Sequence, residues 1–328
     1  VGDLSRVHYV SKRPLVSGSN CMPYYWIVMH DELFSRNGLS LERLRAFAEI
    51  VSAGGPTRAA KGDSSRQSQY SRQLKELEEF FGTDLYARRR GQWILTPAGS
   101  TLQRLTNEHL GALAELRARC EGTTTALRIG AGESYLQWRL IPQLPKLRRE
   151  NPEMRLILLN RRSEDIVAGL MSGELEFGIL PPDEVPSSLK SVRSKPVHHR
   201  VYVPRALKAD LGHSPLDRVL SLPLVLLEGG GATQQMLAAE ATRRGLKLNV
   251  IIECSSHLQA ANVVRQGLAV AMLPSEAVSV FAPHEVDVHS FPFLRKASRQ
   301  IALTWNEHLI HTRPALAAAV HALIEVLK

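Results

Sequence analysis

The chain has 328 residues, room for two or three domains, and its 44% hydrophobic and 22% charged residues match an ordinary globular protein. A formal net charge of +9 suggests a polyanionic partner without fixing a fold. Cys21, Cys120 and Cys254 form no C-x-x-C pair, which argues against zinc ribbons and dithiol redox motifs, and no apolar run approaches the ~20 residues of a membrane helix. Three scattered cysteines are expected to be reduced thiols in a cytoplasmic protein.

Residues 1–38 show no sustained hydrophobic period. The apolar run Cys21–Met29 is short, and no small-x-small cleavage site follows it, so no signal peptide is expected. The expectation is an extension over 1–38, with 1–28 disordered or upstream of the true start, for which Met22 and Met29 are candidates.

From Leu39 the texture changes. Leu41, Leu44, Phe47, Ala48 and Val51 recur at helical spacing behind Ser40 as N-cap, and Gly54-Gly55-Pro56 ends the run. Thr57 is expected to cap a short second helix carrying Ala59 and Ala60. A turn over Gly62–Ser65 leads to a third helix from about 66 to 81, with apolar positions Tyr70, Leu74, Leu77 and Phe81 and a stop at Gly82. Leu85, Tyr86, the run Arg88-Arg89-Arg90-Gly91 and the strand-like Gln92–Leu95 read as a basic two-stranded wing.

Pro97 suits the first turn of a helix running to about 121, with Leu102, Leu105, Leu110, Leu113 and Leu116 as an apolar stripe. Such a helix pairs with a second copy or packs on its own domain; both readings stay open. After the linker from Gly122 to Thr125, strands and helices alternate. Strands are expected at Ala126–Ala131, Arg155–Asn160 and Leu175–Leu180, with helices from Ser134 and from Ser163 to Gly173. Val197–Val203 reads as an extended crossing. A similar set follows: strands Pro223–Glu228, Lys247–Cys254 and Leu268–Leu273, with helices Thr233–Gly245 and Ser256–Gly267. Strand Arg299–Trp305 and a helix from about Thr312 return to the first lobe. This spacing predicts two lobes built on parallel sheets, with a cleft at the carboxyl ends of their strands.

The pieces Leu44–Phe47, Thr57-Arg58-Ala59-Ala60, Ser71-Arg72-Gln73-Leu74, Lys75–Leu77-Glu78, Phe81-Gly82, Leu85-Tyr86-Ala87-Arg88 and Thr96-Pro97-Ala98-Gly99 stand in one order and spacing that resembles the DNA-binding domain of the LysR-type regulators. With a long linker helix and a two-lobed half similar to type 2 periplasmic binding proteins, the resemblance covers about 39–328. It implies an α/β fold with an all-α-type winged helix-turn-helix. The expected division is the winged helix-turn-helix over 39–96, a linker and dimerisation helix over 97–125 and an effector-binding domain over 126–328. Its first lobe takes about 126–200 and 290–328, its second about 201–289. The resemblance further implies binding of double-stranded DNA, a small-molecule effector and assembly into homodimers or homotetramers.

A recognition helix enters the major groove with its N-terminal turns against the bases. Here those turns carry Arg66, Gln67, Ser68, Gln69, Ser71 and Arg72, with Lys75 beyond. Arginine reads guanine bidentately and glutamine can read adenine. Thr57, Arg58 and the wing residues Arg88, Arg89 and Arg90 suit phosphate or minor-groove contacts. Arg72 can also brace the helix through Glu76, four residues on. The sequence departs from the family's pattern at Asp63, usually apolar, at Arg66 and Ser68, usually Ser and Pro, and at Pro56, usually aromatic. A buried unpaired aspartate is expensive, so Asp63 is expected to be exposed or paired.

In the effector half, Glu133 and Ser134 follow the first strand, and Gly229-Gly230-Gly231 with Thr233 holds the same place in the second lobe. Helix N-termini favour anions there, while Glu133 opposes them, so the effector's charge stays open. By resemblance the effector site comprises Glu133, Ser134, Gly230, Thr233 and Val201 or Tyr202 of the crossing. His198-His199 and His308 with His311 lack a further ligand in metal spacing, no Gly-Lys-Ser/Thr follows the glycines, and no G-x-S-x-G is present. Neither metal, cofactor nor enzymatic activity is expected. Two other readings remain: a ligand-binding module with decayed DNA binding, and an enzyme on a binding-protein-like scaffold.

Overall fold

Ser40 opens the first helix, α1 (Leu41–Ala53), its hydroxyl accepting from Arg43 N at 3.2 Å, and left-handed Gly54 closes it. The computed structural model describes residues 33, 37–89, 91–124, 126–152, 154–207, 215–229, 231–296 and 298–327, so the disorder expected for 1–28 lies outside them. The chain divides into two units between Gly99 and Ser100.

In the first unit α2 (Pro56–Ala59) is capped by Gly55, with Pro56 at its first position. Thr57 therefore lies inside the helix and does not cap it; the proline at N1 is the signal that places the start. Gly55 has φ +131°, and a Cβ there would lie 2.7 Å from Trp93 Cδ1, so both backbone and space require glycine. Helix α3 (Ser64–Phe81) begins two residues earlier than expected because Asp63 caps it, accepting from Ser65 N at 2.9 Å and Arg66 N at 3.1 Å. Asp63 is exposed, as expected. The core takes Leu74, Leu77 and Phe80, while Phe81, expected inside, is 40% exposed. Strands β1 (Tyr86–Arg89) and β2 (Gln92–Leu95) pair antiparallel. Phe47, Tyr86 and Trp93 form an edge-to-face series from the core into this wing, at 6.3 and 5.7 Å between centroids.

Helix α4 (Pro97–Cys120) starts at Thr96, whose Oγ1 accepts from Gly99 N at 3.0 Å. Its burial pattern inverts a simple amphipathic reading. Leu105, Leu113 and Leu116 are exposed, whereas Thr106, Glu108 and Glu115 are buried. Charges explain it. Arg313 is buried and bonds Glu115 at 3.2 Å and Glu176 at 2.8 Å, and Glu176 also accepts from Arg128 N at 2.7 Å. Asn107 Nδ2 donates to Ser172 O at 2.7 Å. The polar side of α4 thus packs on the rest of the second unit, to which the helix belongs from Ser100.

That unit holds two similar lobes. In the first, β3 (Ala126–Ala131) runs parallel to β4 (Arg155–Asn160) and β5 (Phe177–Leu180), while β12 (Ala302–Trp305) lies antiparallel between β5 and β6 (Lys190–Arg193). The order is β4-β3-β5-β12-β6. In the second lobe β8 (Pro223–Leu227) and β9 (Asn249–Cys254) are parallel, and β7 (His199–Pro204) sits antiparallel between β10 (Ala271–Pro274) and β11 (Val286–His289). A parallel bridge Leu224–Val270 links the two sets, giving β9-β8-β10-β7-β11, the order of the first lobe again. Both sheets are therefore mixed where wholly parallel ones were expected. The antiparallel members, β12 and β7, each enter after a long excursion of the chain that no local spacing reveals.

One face of the first sheet packs Ile129, Phe177 and Leu303 against Leu316 and Leu323 of the last helix, α13 (Pro314–Leu327). Ile166, Leu170 and Leu175 cover the other face. Helices α5 (Glu133–Tyr135), α6 (Leu144–Glu150) and α7 (Ser163–Ser172) belong to this lobe. A π-turn (Leu136–Leu140) and a 3₁₀ turn (Ile141–Gln143) join α5 to α6. The second lobe has α8 (Pro215–Ser221), α9 (Ala232–Arg243), α10 (His257–Arg265) and α11 (Pro292–Lys296), and α12 (Glu307–Thr312) precedes α13.

Candidate nucleic-acid interface and effector cleft

Within the first unit every described residue expected to meet DNA is exposed: Thr57, Arg58, Arg66, Gln67, Ser68, Gln69, Ser71, Arg72, Lys75, Arg88 and Arg89. Arg90 lies outside the described residues. Asp63 fixes the start of α3, so the first three turns project these side chains from one rigid helix. Glu78 Oε1, on the same helix, accepts from Leu85 N at 2.9 Å and Tyr86 N at 3.3 Å, which pins the wing to it. Glu78 stands among the motif residues of the sequence, but its role in pinning the wing has no sequence signal because its partners are backbone groups. Arg88 lies over the Trp93 ring at 4.8 Å, a cation–π contact that orients its guanidinium.

Other partners limit what some of these residues can offer. Arg72 stands 3.8 Å from Glu76 and Lys75 stands 3.5 Å from Glu79, both exposed pairs of small net value. Glu76 is held more closely by Arg43. Ser68 donates to Ser64 O at 3.0 Å. Arg66 and Gln69 border a polar cleft of about 230 Å³ that also receives Glu42, Arg45, Glu49 and Tyr70. There Tyr70 donates to Glu49 at 2.6 Å, and that bond to a carboxylate raises its pKa.

In the second unit Glu133 and Ser134 sit half-buried at the start of α5, after Gly132 as N-cap, and Thr233 sits half-buried in the first turn of α9. Gly230 lies outside the described residues. Burial raises the Cys254 thiol, with smaller contributions from the charges of Glu133 and Glu228. Val201 and Tyr202 lie on β7, both buried. Strand β7 is buried on both faces: Val201 packs with Val219 and Leu294, and Tyr202 stacks on Phe281 at 5.3 Å and donates to Pro274 O at 3.0 Å. Their side chains belong to the two cores of the second lobe.

Two residues before Val201, the chain offers a group with no signature in the sequence. Trp138, in the π-turn, stands edge-on to His257 at 6.3 Å, and His257 lies 6.0 Å from His199. Burial lowers both histidines to about 4, so both are neutral at pH 7. Beside them Arg139 pairs with Glu276 at 2.7 Å and donates to Pro196 O at 2.6 Å, tying the first lobe to the second and to the crossing segment. Among the described residues no cluster of three metal-ligating side chains forms, and no helix is long and apolar enough to cross a membrane.

Comparison with known proteins gives two family matches. Residues 41–100 match the bacterial regulatory helix-turn-helix protein of the lysR family, and residues 121–328 match the LysR substrate binding domain. A probable nitrogen assimilation transcriptional activator of Synechococcus elongatus is 27% identical over 255 residues, 75% of this chain and 82% of that protein. The HTH-type transcriptional activator BauR of Pseudomonas aeruginosa is 27% identical over 242 residues, 71% of this chain and 77% of its own. Among solved structures a full-length OxyR variant from Pseudomonas aeruginosa superposes with a TM-score of 0.59 at 20% identity, covering 89% of this chain and 95% of that one. Full-length CbnR in complex with its target DNA gives 0.54 at 18% identity, covering 88% and 99%. These likenesses show the fold.

Proposed function

As the chain belongs to the LysR-type transcription regulators, joining a DNA-binding helix-turn-helix to an effector-binding domain, we propose that α3 reads an operator through Arg66, Gln67, Ser68, Gln69, Ser71 and Arg72. Thr57, Arg58, Lys75 and the wing arginines Arg88, Arg89 and Arg90 hold the phosphates or the neighbouring minor groove. The observation that carries this is the exposed polar N-terminal half of α3 beside a wing whose Arg88 is oriented by Trp93. The DNA-binding domain takes 39–96 and the effector-binding domain 126–328, joined by the helix over 97–125. Its exposed Leu105, Leu113 and Leu116 support assembly with a second copy, as a dimer or a tetramer. A DNA-bound regulator of this kind works in the cytoplasm and binds rather than transforms its ligand.

The effector lies between the lobes at Glu133, Ser134, Gly230 and Thr233. It acts by binding two arrangements of the protein with different affinity. The test is fluorescence anisotropy of the full chain on DNA from just upstream of its own gene, against random DNA, across a salt series. Tight binding to the upstream fragment that weakens steeply with salt supports the proposal. Weak binding equal on both DNAs refutes it and leaves a ligand-binding module.

A further inference from the structure

We propose that Trp138, His199 and His257 form a subsite at the seam of the two lobes for an uncharged planar group bearing an oxygen acceptor, such as an aromatic amide. This rests on the reading of the second unit as an effector-binding domain. The three rings come from three separate places in the chain: the π-turn after α5, the first residue of β7 where the chain crosses between lobes, and the first turn of α10. π-turns gather at functional sites. Trp138 is 5% exposed and its Nε1, which can only donate, has no hydrogen-bond partner in the protein, nor has His199 Nδ1. A buried indole N–H without an acceptor is expensive, so Trp138 calls for an acceptor brought from outside, and His199 can donate beside it in the tautomer that carries its proton on Nδ1.

The charges around the rings select its kind. Arg139 is already engaged by Glu276, and Arg299, the other cation facing His199, by Glu184 at 3.0 Å. His199 also faces Glu276, Arg299 and His198, and burial keeps it and His257 uncharged. A carboxylate would give up water for neutral donors and find no unpaired cation among these groups. A carbonyl on a flat ring meets the same donors without a charge to desolvate and lies against aromatic faces.

The test is titration of the ¹⁵N-labelled full chain with benzamide and with benzoate, following the tryptophan indole N–H signals. The signal that Trp138→Phe deletes identifies the site. Benzamide is expected to move that signal, to bind at least tenfold more tightly than benzoate, and to bind with equal strength from pH 6 to 8. Trp138→Phe should weaken benzamide about 5- to 10-fold, the worth of one hydrogen bond. Where that variant unfolds early, His199→Phe makes the same test from the other side. An unmoved Trp138 signal, as when ordered water satisfies the indole, overturns the proposal, and so does a preference for benzoate. DNA binding measured on the same preparation separates the two readings: operator binding with an unmoved indole sinks the subsite alone.

Discussion

Replacing Arg313 by methionine removes the guanidinium that Glu115 and Glu176 share. All three side chains are at most 5% exposed, so water cannot take its place. Breaking a buried pair by deleting one partner costs about 3–5 kcal/mol, because a charge stays behind in a poor solvent. Glu176 keeps the Arg128 amide at 2.7 Å and its guanidinium at 3.6 Å, which places the loss toward the lower end. At roughly 2–4 °C per kcal/mol for a unit of this size, Arg313→Met should lower the melting temperature by roughly 6–20 °C. Differential scanning calorimetry of the full chain measures it, following the transition that contains the second unit. A companion variant with Arg313→Met, Glu115→Leu and Glu176→Gln removes the stranded charges and keeps an acceptor for Arg128 N. It should melt above the single variant. A single variant within about 2 °C of the parent would refute the reasoning.

Asp63→Ala removes both N-terminal bonds of α3 and should cost about 1 kcal/mol in urea unfolding, while Asp63→Asn keeps an acceptor and should cost far less. Equal losses would assign the effect elsewhere. His199 and His257, lowered from 6.5 to about 4, bind fewer protons folded than unfolded between those values. Their stabilisation is therefore complete above pH 6.5 and is lost as pH falls toward 4, by at most roughly 3 kcal/mol for one histidine. Urea midpoints at pH 7.5, 6.0 and 5.0 should fall in that order, and His257→Phe should flatten the trend. Leu113→Glu with Leu116→Glu places charge on an exposed stripe; light scattering should show a smaller assembly with the fold intact by circular dichroism. An unchanged mass would remove the stripe from the assembly interface.

Local chemistry made the first unit legible. Ser40, Gly54 and Gly82 punctuate the helices where they stand, and the wing follows from arginine-rich turn residues between short strands. Phe80 and Phe81 were harder, because adjacent aromatics differ by one helical step of about 100° and only packing decides between them. The second unit's strand and helix order could be read from its alternation, but not its sheet pairing, since β12 and β7 insert from far along the chain. The leucines of α4 could be read as a stripe, but not that Leu105, Leu113 and Leu116 face outward while Leu102 is buried. That depends on Arg313, 198 residues from Glu115. Trp138, His199 and His257 share no spacing at all, so only folding could bring them together.

Gly55 and Trp93 occupy one another's space at the joint between the turn and the wing, and Trp93 in turn carries the Arg88 guanidinium at 4.8 Å. The indole is thus an optical element built into the wing. A phosphate that draws Arg88 aside changes the field over the ring, and with it the colour and yield of its emission. Of the chain's four tryptophans, Trp26, Trp138 and Trp305 can be exchanged for phenylalanine to leave Trp93 alone. Light from that one side chain would then follow the wing onto DNA with no dye on either partner.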